Sequence, residues 1–257
     1  MNTLVIDIGN SNTVCGIYSE GTLSWSARFK SDRDRTADEY FVLLQSLAKE
    51  NISNGGINKV AIAGVVPDLT RKWQHLIKKY FSLNAIIISA YSPLGLSYVV
   101  PDPGFIGADL VANAFAGWKK YKSNCLIIDF GTATTLQIVT AEGKFLGAII
   151  APGMITAAAE LFRQAALLSE IELTLPKTLL GTNTKDAMLS GIVKGHALMV
   201  QGFINSLNND FAALSPWKII STGGISDLLI PLLPEIQISD RTLTLDGIYQ
   251  ASELLSS

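Results

Sequence analysis

Two short peptides set the chemistry this chain can do. Residues 7–13, Asp-Ile-Gly-Asn-Ser-Asn-Thr, and residues 129–135, Asp-Phe-Gly-Thr-Ala-Thr-Thr, share the pattern Asp-x-Gly-(Asn/Thr)-x-(Asn/Thr)-Thr. They stand 122 positions apart, close to half of the 257-residue chain. Gly9 and Gly131 remove a Cβ, which lets backbone N–H groups approach an anion. Ser, Thr and Asn add short donors. Asp7 and Asp129 stand where a carboxylate can hold a phosphate-bound cation or its water. Alone, either peptide is ordinary turn chemistry. The pair, in matching surroundings, points to phosphate. A third glycine loop, Ser221-Thr-Gly-Gly-Ile225, follows an apolar run and suits a nucleoside. Asp109 is the candidate base, since a carboxylate can take the proton of an attacking hydroxyl. Its competing reading is a helix N-cap.

The elements that must position these residues repeat. Residues 3–8, 13–18 and 22–29 read as three strands with tight turns. The mixed-charge run 30–39 reads as a solvated loop. Thr36 precedes Glu39 at capping-box spacing, and Tyr40, Leu43, Leu44 and Leu47 form one apolar face, so a helix is expected over 37–50. A strand (59–66), a helix opening at Pro67, a strand (85–89), a Pro- and Gly-rich loop (91–107) and a helix (109–122) follow. Three strands then recur at 125–130, 135–139 and 144–150, with helices at 154–168 and 185–208 and a strand at 217–221. The most apolar stretch, 145–162, contains Pro152, two glycines and Glu160. It reads as strand, turn and buried helix, not a membrane span.

Composition narrows the function classes. Twenty basic residues stand against 22 acidic ones, so no basic surplus exists to follow a nucleic-acid backbone. Hydrophobic residues make up 48% and charged residues only 16%, which excludes disorder and points to buried surface beyond a monomer core. Cys15 and Cys125 lie in apolar surroundings and read as core thiols in a reducing, cytoplasmic setting. No basic segment precedes an apolar run at the N-terminus, so a signal peptide is not expected. His75 and His196 lack ligand spacing and read as ordinary helix residues.

Two phosphate loops on duplicated halves plus a late Gly-Gly loop resemble the acetate and sugar kinase/Hsp70/actin superfamily. In detail the chain resembles type III pantothenate kinases. The strings are DIGNSNT (7–13), GVVP (64–67), GAD (107–109), DFGTATT (129–135), GAIIAPG (147–153), GTNTKDAMLSG (181–191) and STGG (221–224).

The resemblance implies ATP-dependent phosphorylation of pantothenate to 4′-phosphopantothenate, the first step of coenzyme A synthesis. It implies an α/β fold of two ribonuclease H-like halves with mixed sheets, expected over 1–118 and 119–257, and a homodimer. It places Asp7, Ile8, Gly9, Asn10, Ser11, Asn12, Thr13, Val14 and Thr132 at ATP, with Asp7 near magnesium. It gives Asp129 to a monovalent cation, potassium or ammonium, although the residues alone equally allow a second carboxylate near magnesium. It places Gly107, Ala108, Asp109 and Leu110 at the substrate, with Asp109 the base, and Thr184 beside them at a dimer interface. Thr184 alone also reads as an N-cap.

Two positions depart from the family pattern. Leu110 stands where an Arg usually follows Gly-Ala-Asp, and Val100 stands where a Tyr usually precedes the Pro matching Pro103. A cationic fork suits pantothenate's carboxylate, and Leu cannot supply one. A kinase for another small alcohol, and a nucleotide-binding regulatory relative without catalysis, therefore stand as alternatives.

Overall fold

The computed structural model describes residues 1–53, 56–165 and 170–256. The chain forms two compact units, one of Met1–Lys120 with Thr242–Ser257, the other of Tyr121–Arg241.

The first unit is built on β1 (Asn2–Ile8), β2 (Asn12–Ser19), β3 (Thr22–Lys30), β4 (Lys59–Gly64) and β5 (Ile86–Ile88). Their order is β3-β2-β1-β4-β5. β1 runs antiparallel to β2 and parallel to β4, so the sheet is mixed. The period of 2 in a strand sends alternate side chains to opposite faces. Leu4, Ile6 and Ile8 of β1 and Val60 and Ile62 of β4 join one core with Tyr40, Leu44, Trp73 and Leu76. These last come from α1 (Ala37–Leu47) and α3 (Pro67–Phe81). Val5, Ala61 and Ala63 face the other way, into a second core with Val111, Phe115 and Ile248. The helices there are α4 (Ala108–Tyr121) and the C-terminal Leu243–Leu255. The expected capping box opens α1: Glu39 N–H donates to Thr36 Oγ1 at 3.2 Å and Thr36 N–H to Glu39 Oε2 at 2.7 Å. The helix expected to reach residue 50 ends at Leu47, and a short α2 (Lys49–Ser53) follows. A two-residue β6 (Ser97–Tyr98) lies in the Pro- and Gly-rich loop.

The boundary expected near residue 118 falls at 120/121, but the C-terminal helix does not stay with the second half. It returns to cover the first sheet. A Cβ at Gly247 would lie 2.1 Å from the carbonyl oxygen of Ala112, so that glycine lets the helix cross α4 backbone to backbone.

The second unit repeats the plan with β7 (Cys125–Phe130), β8 (Ala133–Val139), β9 (Lys144–Pro152), β10 (Lys218–Thr222) and β11 (Ile238–Ser239). These run in the order β11-β10-β7-β8-β9, with β7 antiparallel to β8 and parallel to β10. Its helices are α5 (Met154–Gln164), α6 (Thr184–Leu189), α7 (Gly195–Asp210) and α8 (Ser226–Leu229), which makes the C-terminal helix α9. One π turn, Ser190–Lys194, joins α6 to α7. Both units are ribonuclease H-like. The alternation of buried and half-buried residues in β7 and β8 copies that of β1 and β2.

Residues 145–162 form strand, turn and helix as expected, but the helix is not buried. Only Met154 and Ala158 of α5 are covered, while Ile155 and Leu161 are exposed. One i, i+4 stripe touches the unit and the rest faces out. Of the helix expected to reach 168, residues 166–168 lie outside the described residues.

Candidate active site

The first loop joins β1 to β2. Ile8 pairs with Thr13, leaving Gly9–Asn12 as four connecting residues. Gly9 N–H closes onto the Asn12 carbonyl at 3.0 Å, and a Cβ on Gly9 would sit 3.0 Å from that same oxygen. Asn10 and Ser11 are exposed, while Asp7 is half-buried at the foot of the loop. Ile8 and Thr13 are buried, and Val14 is half-buried. The charged run 30–39, expected to be solvated, supplies the brace. Ser31 Oγ donates to the Gly9 carbonyl at 2.7 Å and meets Thr13 Oγ1 at 2.9 Å, and Ser31 N–H donates to the Ser11 carbonyl at 2.9 Å. Lys72 Nζ holds the same run by donating to the carbonyls of Arg33 and Arg35. Serine in a charged segment gave no sequence signal for this.

The second loop joins β7 to β8 and is one residue shorter. Phe130 pairs with Thr134, which leaves Gly131, Thr132 and Ala133. The true counterpart of Thr13 is therefore Thr134, not Thr135 as the sequence pattern aligns them. Asp129 is half-buried at the foot, as Asp7 is in the first unit. Gly153 N–H donates to the Thr132 carbonyl at 3.0 Å, and Thr156 Oγ1 donates to it at 2.7 Å. A Cβ at Gly153 would meet the Gly131 and Thr132 oxygens at 2.4 Å, so only glycine fits there. His196, expected to be an ordinary helix residue, is buried with Nε2 at 2.9 Å from Thr134 Oγ1. Burial holds its pKa below the ordinary imidazole value.

The third glycine loop closes on the second. Thr222 of β10 pairs with Asp129 of β7, and Gly223 follows with φ +93. A Cβ at Gly223 would lie 2.6 Å from Asp129 Oδ1 and from the backbone of Phe130. Parallel strand ends carrying Gly-rich turns are where α/β sheets bind ligands.

Asp109 lies in the first turn of α4 and is half-buried. It is not the N-cap, because Ala108 already belongs to the helix. Its Oδ1 accepts from the N–H of Leu110 at 2.8 Å. Burial pushes the carboxyl above its ordinary range, while this N–H and the residue's own pull it back. No side chain among the described residues donates to it. Gly107 is half-buried and Ala108 buried. Leu110 is 7% exposed and turned into the protein, so this position presents no polar group. Thr184 opens α6, whose N-cap is Asn183, so the N-cap reading of Thr184 does not hold. It lines an apolar cavity of about 600 Å³ with Met154, Leu161, Met188 and His196. No group of three or more metal-ligating side chains occurs among the described residues.

Residues 3–206 match the family model described as type III pantothenate kinase. The chain belongs to the type III pantothenate kinase family. It is 37% identical over 252 residues to a type III pantothenate kinase of Roseiflexus sp. (strain RS-1), covering 98% of both chains. The corresponding protein of Bacillus cytotoxicus is 36% identical over 250 residues, 97% of this chain and 95% of that one. Among solved structures, the activator of 2-hydroxyisocaproyl-CoA dehydratase from Clostridium difficile, with bound ADPNP, matches with TM-score 0.58 and 13% identity. It covers 99% of this chain and 94% of that one. A ROK family glucokinase from Streptomyces griseus, in complex with glucose and AMPPNP, has TM-score 0.51 and 14% identity, with 99% of each covered. These two show the fold alone. For this type III family member the fold is thus the actin-like, sugar-kinase arrangement, and the family is that of a phosphotransferase acting on a small molecule with ATP.

Proposed function

We propose that this chain transfers the terminal phosphoryl group of ATP to pantothenate, giving 4′-phosphopantothenate for coenzyme A synthesis. The observation that carries the reading is the Asp109 carboxylate. It is half-buried, seated on backbone N–H groups, free of side-chain donors among the described residues, and in the same unit as the first phosphate loop. Phosphoryl transfer asks the protein for alignment and charge neutralisation more than covalent chemistry. Asp109 accepts the proton of the attacking hydroxyl and aims its oxygen. Asn10, Ser11 and Asn12 present N–H groups and short side chains to the phosphates. Thr13 and Ile8, both buried, support the loop from beneath.

Magnesium, when bound with ATP, neutralises phosphate charge, and the half-buried Asp7 suits a role beside it. Asp129 would serve a monovalent cation, potassium or ammonium; the backbone of Gly223 packed against its carboxylate supports a built pocket there. Thr132 would touch ATP from the second loop, Gly107 and Ala108 would meet pantothenate beside Asp109, and Thr184 would help bind it at a dimer interface. With Leu110 buried, the substrate's carboxylate must find its donors elsewhere.

A homodimer is supported by exposed Ile150, Ile155, Leu161, Leu179, Leu180 and Leu198 on the second unit. A cytoplasmic location fits the two buried free thiols. The run Thr184–Asp210 is long and apolar enough to cross a membrane by composition, but half of its apolar window is buried in the protein, which favours a core helix. The near balance of charge argues against a nucleic-acid partner. The family match over nearly the whole chain favours pantothenate over another alcohol and catalysis over regulation alone.

The test is ADP release with pantothenate and ATP–magnesium, with and without potassium or ammonium, across pH. Turnover is expected to need the cation and to fall as pH drops through the raised pKa of Asp109, because the base must be deprotonated. Asp109→Asn is expected to lose at least about 100-fold in kcat while keeping ATP affinity. ATP binding without turnover on pantothenate would refute the reading.

A further inference from the structure

The Asp109 carboxylate rests in a seat that only glycine leaves open. A Cβ built on Gly107 would lie 2.4 Å from Asp109 Oδ1 and 3.5 Å from its carboxyl carbon. That oxygen is also the one bonded to the N–H of Leu110. The carboxylate is therefore folded back over the bare Cα of Gly107. Val65 also borders this seat, with Cγ1 at 3.3 Å from the same Cβ position. Val65 also reaches the first phosphate loop: its N–H donates to the carbonyl of Ile8 at 3.0 Å, one residue before Gly9. β1 and β4 run parallel, and Ile8 pairs with Gly64, so the Gly-Val-Val-Pro turn emerges beside the loop. One residue thus touches both the strand end that carries the loop and the seat of the carboxylate.

We propose that Gly107, backed by Val65, is a positioning residue that aims the Asp109 carboxylate and sets its place relative to the first phosphate loop. The proposal rests on Asp109 being the base. A methyl at residue 107 displaces Oδ1 from its N–H donors. Those donors favour the charged carboxylate, so their loss raises the pKa at which the base is lost. Ångström-scale misplacement of a reacting group costs about 10- to 100-fold in rate.

The experiment compares Gly107→Ala, Val65→Ala and Asp109→Asn in the full chain by kcat and KM against pH, with circular dichroism and ATP titration as checks. Gly107→Ala is expected to lose about 10- to 100-fold in kcat, to keep KM for ATP within about twofold, and to move the acidic limb of kcat/KM to higher pH. Val65→Ala adds no atom. It is expected to move the limb the same way by less. Should Gly107→Ala fail to fold, Val65→Ala decides: a limb moved to higher pH supports the proposal, and one unmoved or moved down overturns it. A folded Gly107→Ala with wild-type kcat, or with lower kcat and an acidic limb unmoved or moved down, overturns the positioning role. If Asp109→Asn is inactive in that case, the base reading stands. An active Asp109→Asn brings down both.

Discussion

Thr13 and Thr134 occupy the same place in two copies of one hairpin, and their hydroxyls go to different partners. Thr13 meets Ser31 from its own sheet's third strand end, whereas Thr134 meets His196 from α7. The loops above them differ as well. The first spans four residues and exposes Asn10 and Ser11. The second spans three, and its Thr132 carbonyl accepts from both Gly153 and Thr156 while Gly223 presses on its aspartate. Duplication preserved the strand pair and the buried threonine. The shorter loop is held from α5 and by Gly223, and the longer one by Ser31.

The largest expected effect falls on the clamp. Gly153→Ala puts a methyl against two backbone oxygens at 2.4 Å, which cannot yield as a side chain would. It should destabilise the protein by about 3 kcal/mol, read as a lower midpoint in urea. Near-wild-type stability would show that the second loop is not held by close backbone contact.

Next comes loop length. Deleting Ser11 converts the first loop to the length of the second. Each hydrogen bond to a charged group is worth about 1.5–3 kcal/mol, so ATP affinity should fall about 10- to 100-fold by calorimetry. Unchanged affinity would break the link between the extra residue and phosphate binding.

Smaller effects separate the braces. Ser31→Ala removes the bond to Gly9 and leaves the buried Thr13 hydroxyl without it, a loss of about 1–2 kcal/mol. ATP affinity should fall with stability. Thr156→Val removes only the bond to Thr132 and should cost about 1 kcal/mol of stability with less change in ATP affinity. Equal effects on ATP would mean that both loops hold it alike.

The smallest effect concerns pH. Burial lowers the pKa of His196, so the unfolded chain binds its proton more readily than the folded one. Stability is then full above the unfolded value of about 6.5 and declines as pH falls below it, toward the lowered folded pKa. His196→Phe should remove that component, below about 1 kcal/mol per pH unit. Identical thermal-melt pH profiles for wild type and variant would exclude it. The matching Thr13 of the first loop meets the hydroxyl of Ser31 instead of an imidazole.

Much of the site was legible in the amino-acid order. Local rules sufficed for the two glycine turns, the aspartates at strand ends, the capping box at Thr36 and Glu39, and both sets of three strands. Each is written in neighbours a few positions apart, where turn geometry and strand period act directly. The tertiary structure alone decided what needed distant partners. It assigned Thr134 rather than Thr135 as the counterpart of Thr13, because pairing register depends on the facing strand. It brought Ser31 and Val65 to the first loop and His196 and Gly153 to the second, since a serine, a helix histidine or a turn valine carries no mark of what will pack on it. It sent the C-terminal helix back to the first sheet, because the open apolar face of β1 and β4 had to be covered and Gly247 allowed a close crossing. Spacing within one segment records the geometry of that segment. The identity of its neighbour is settled only when apolar faces and unpaired backbone groups from remote segments compete to be buried.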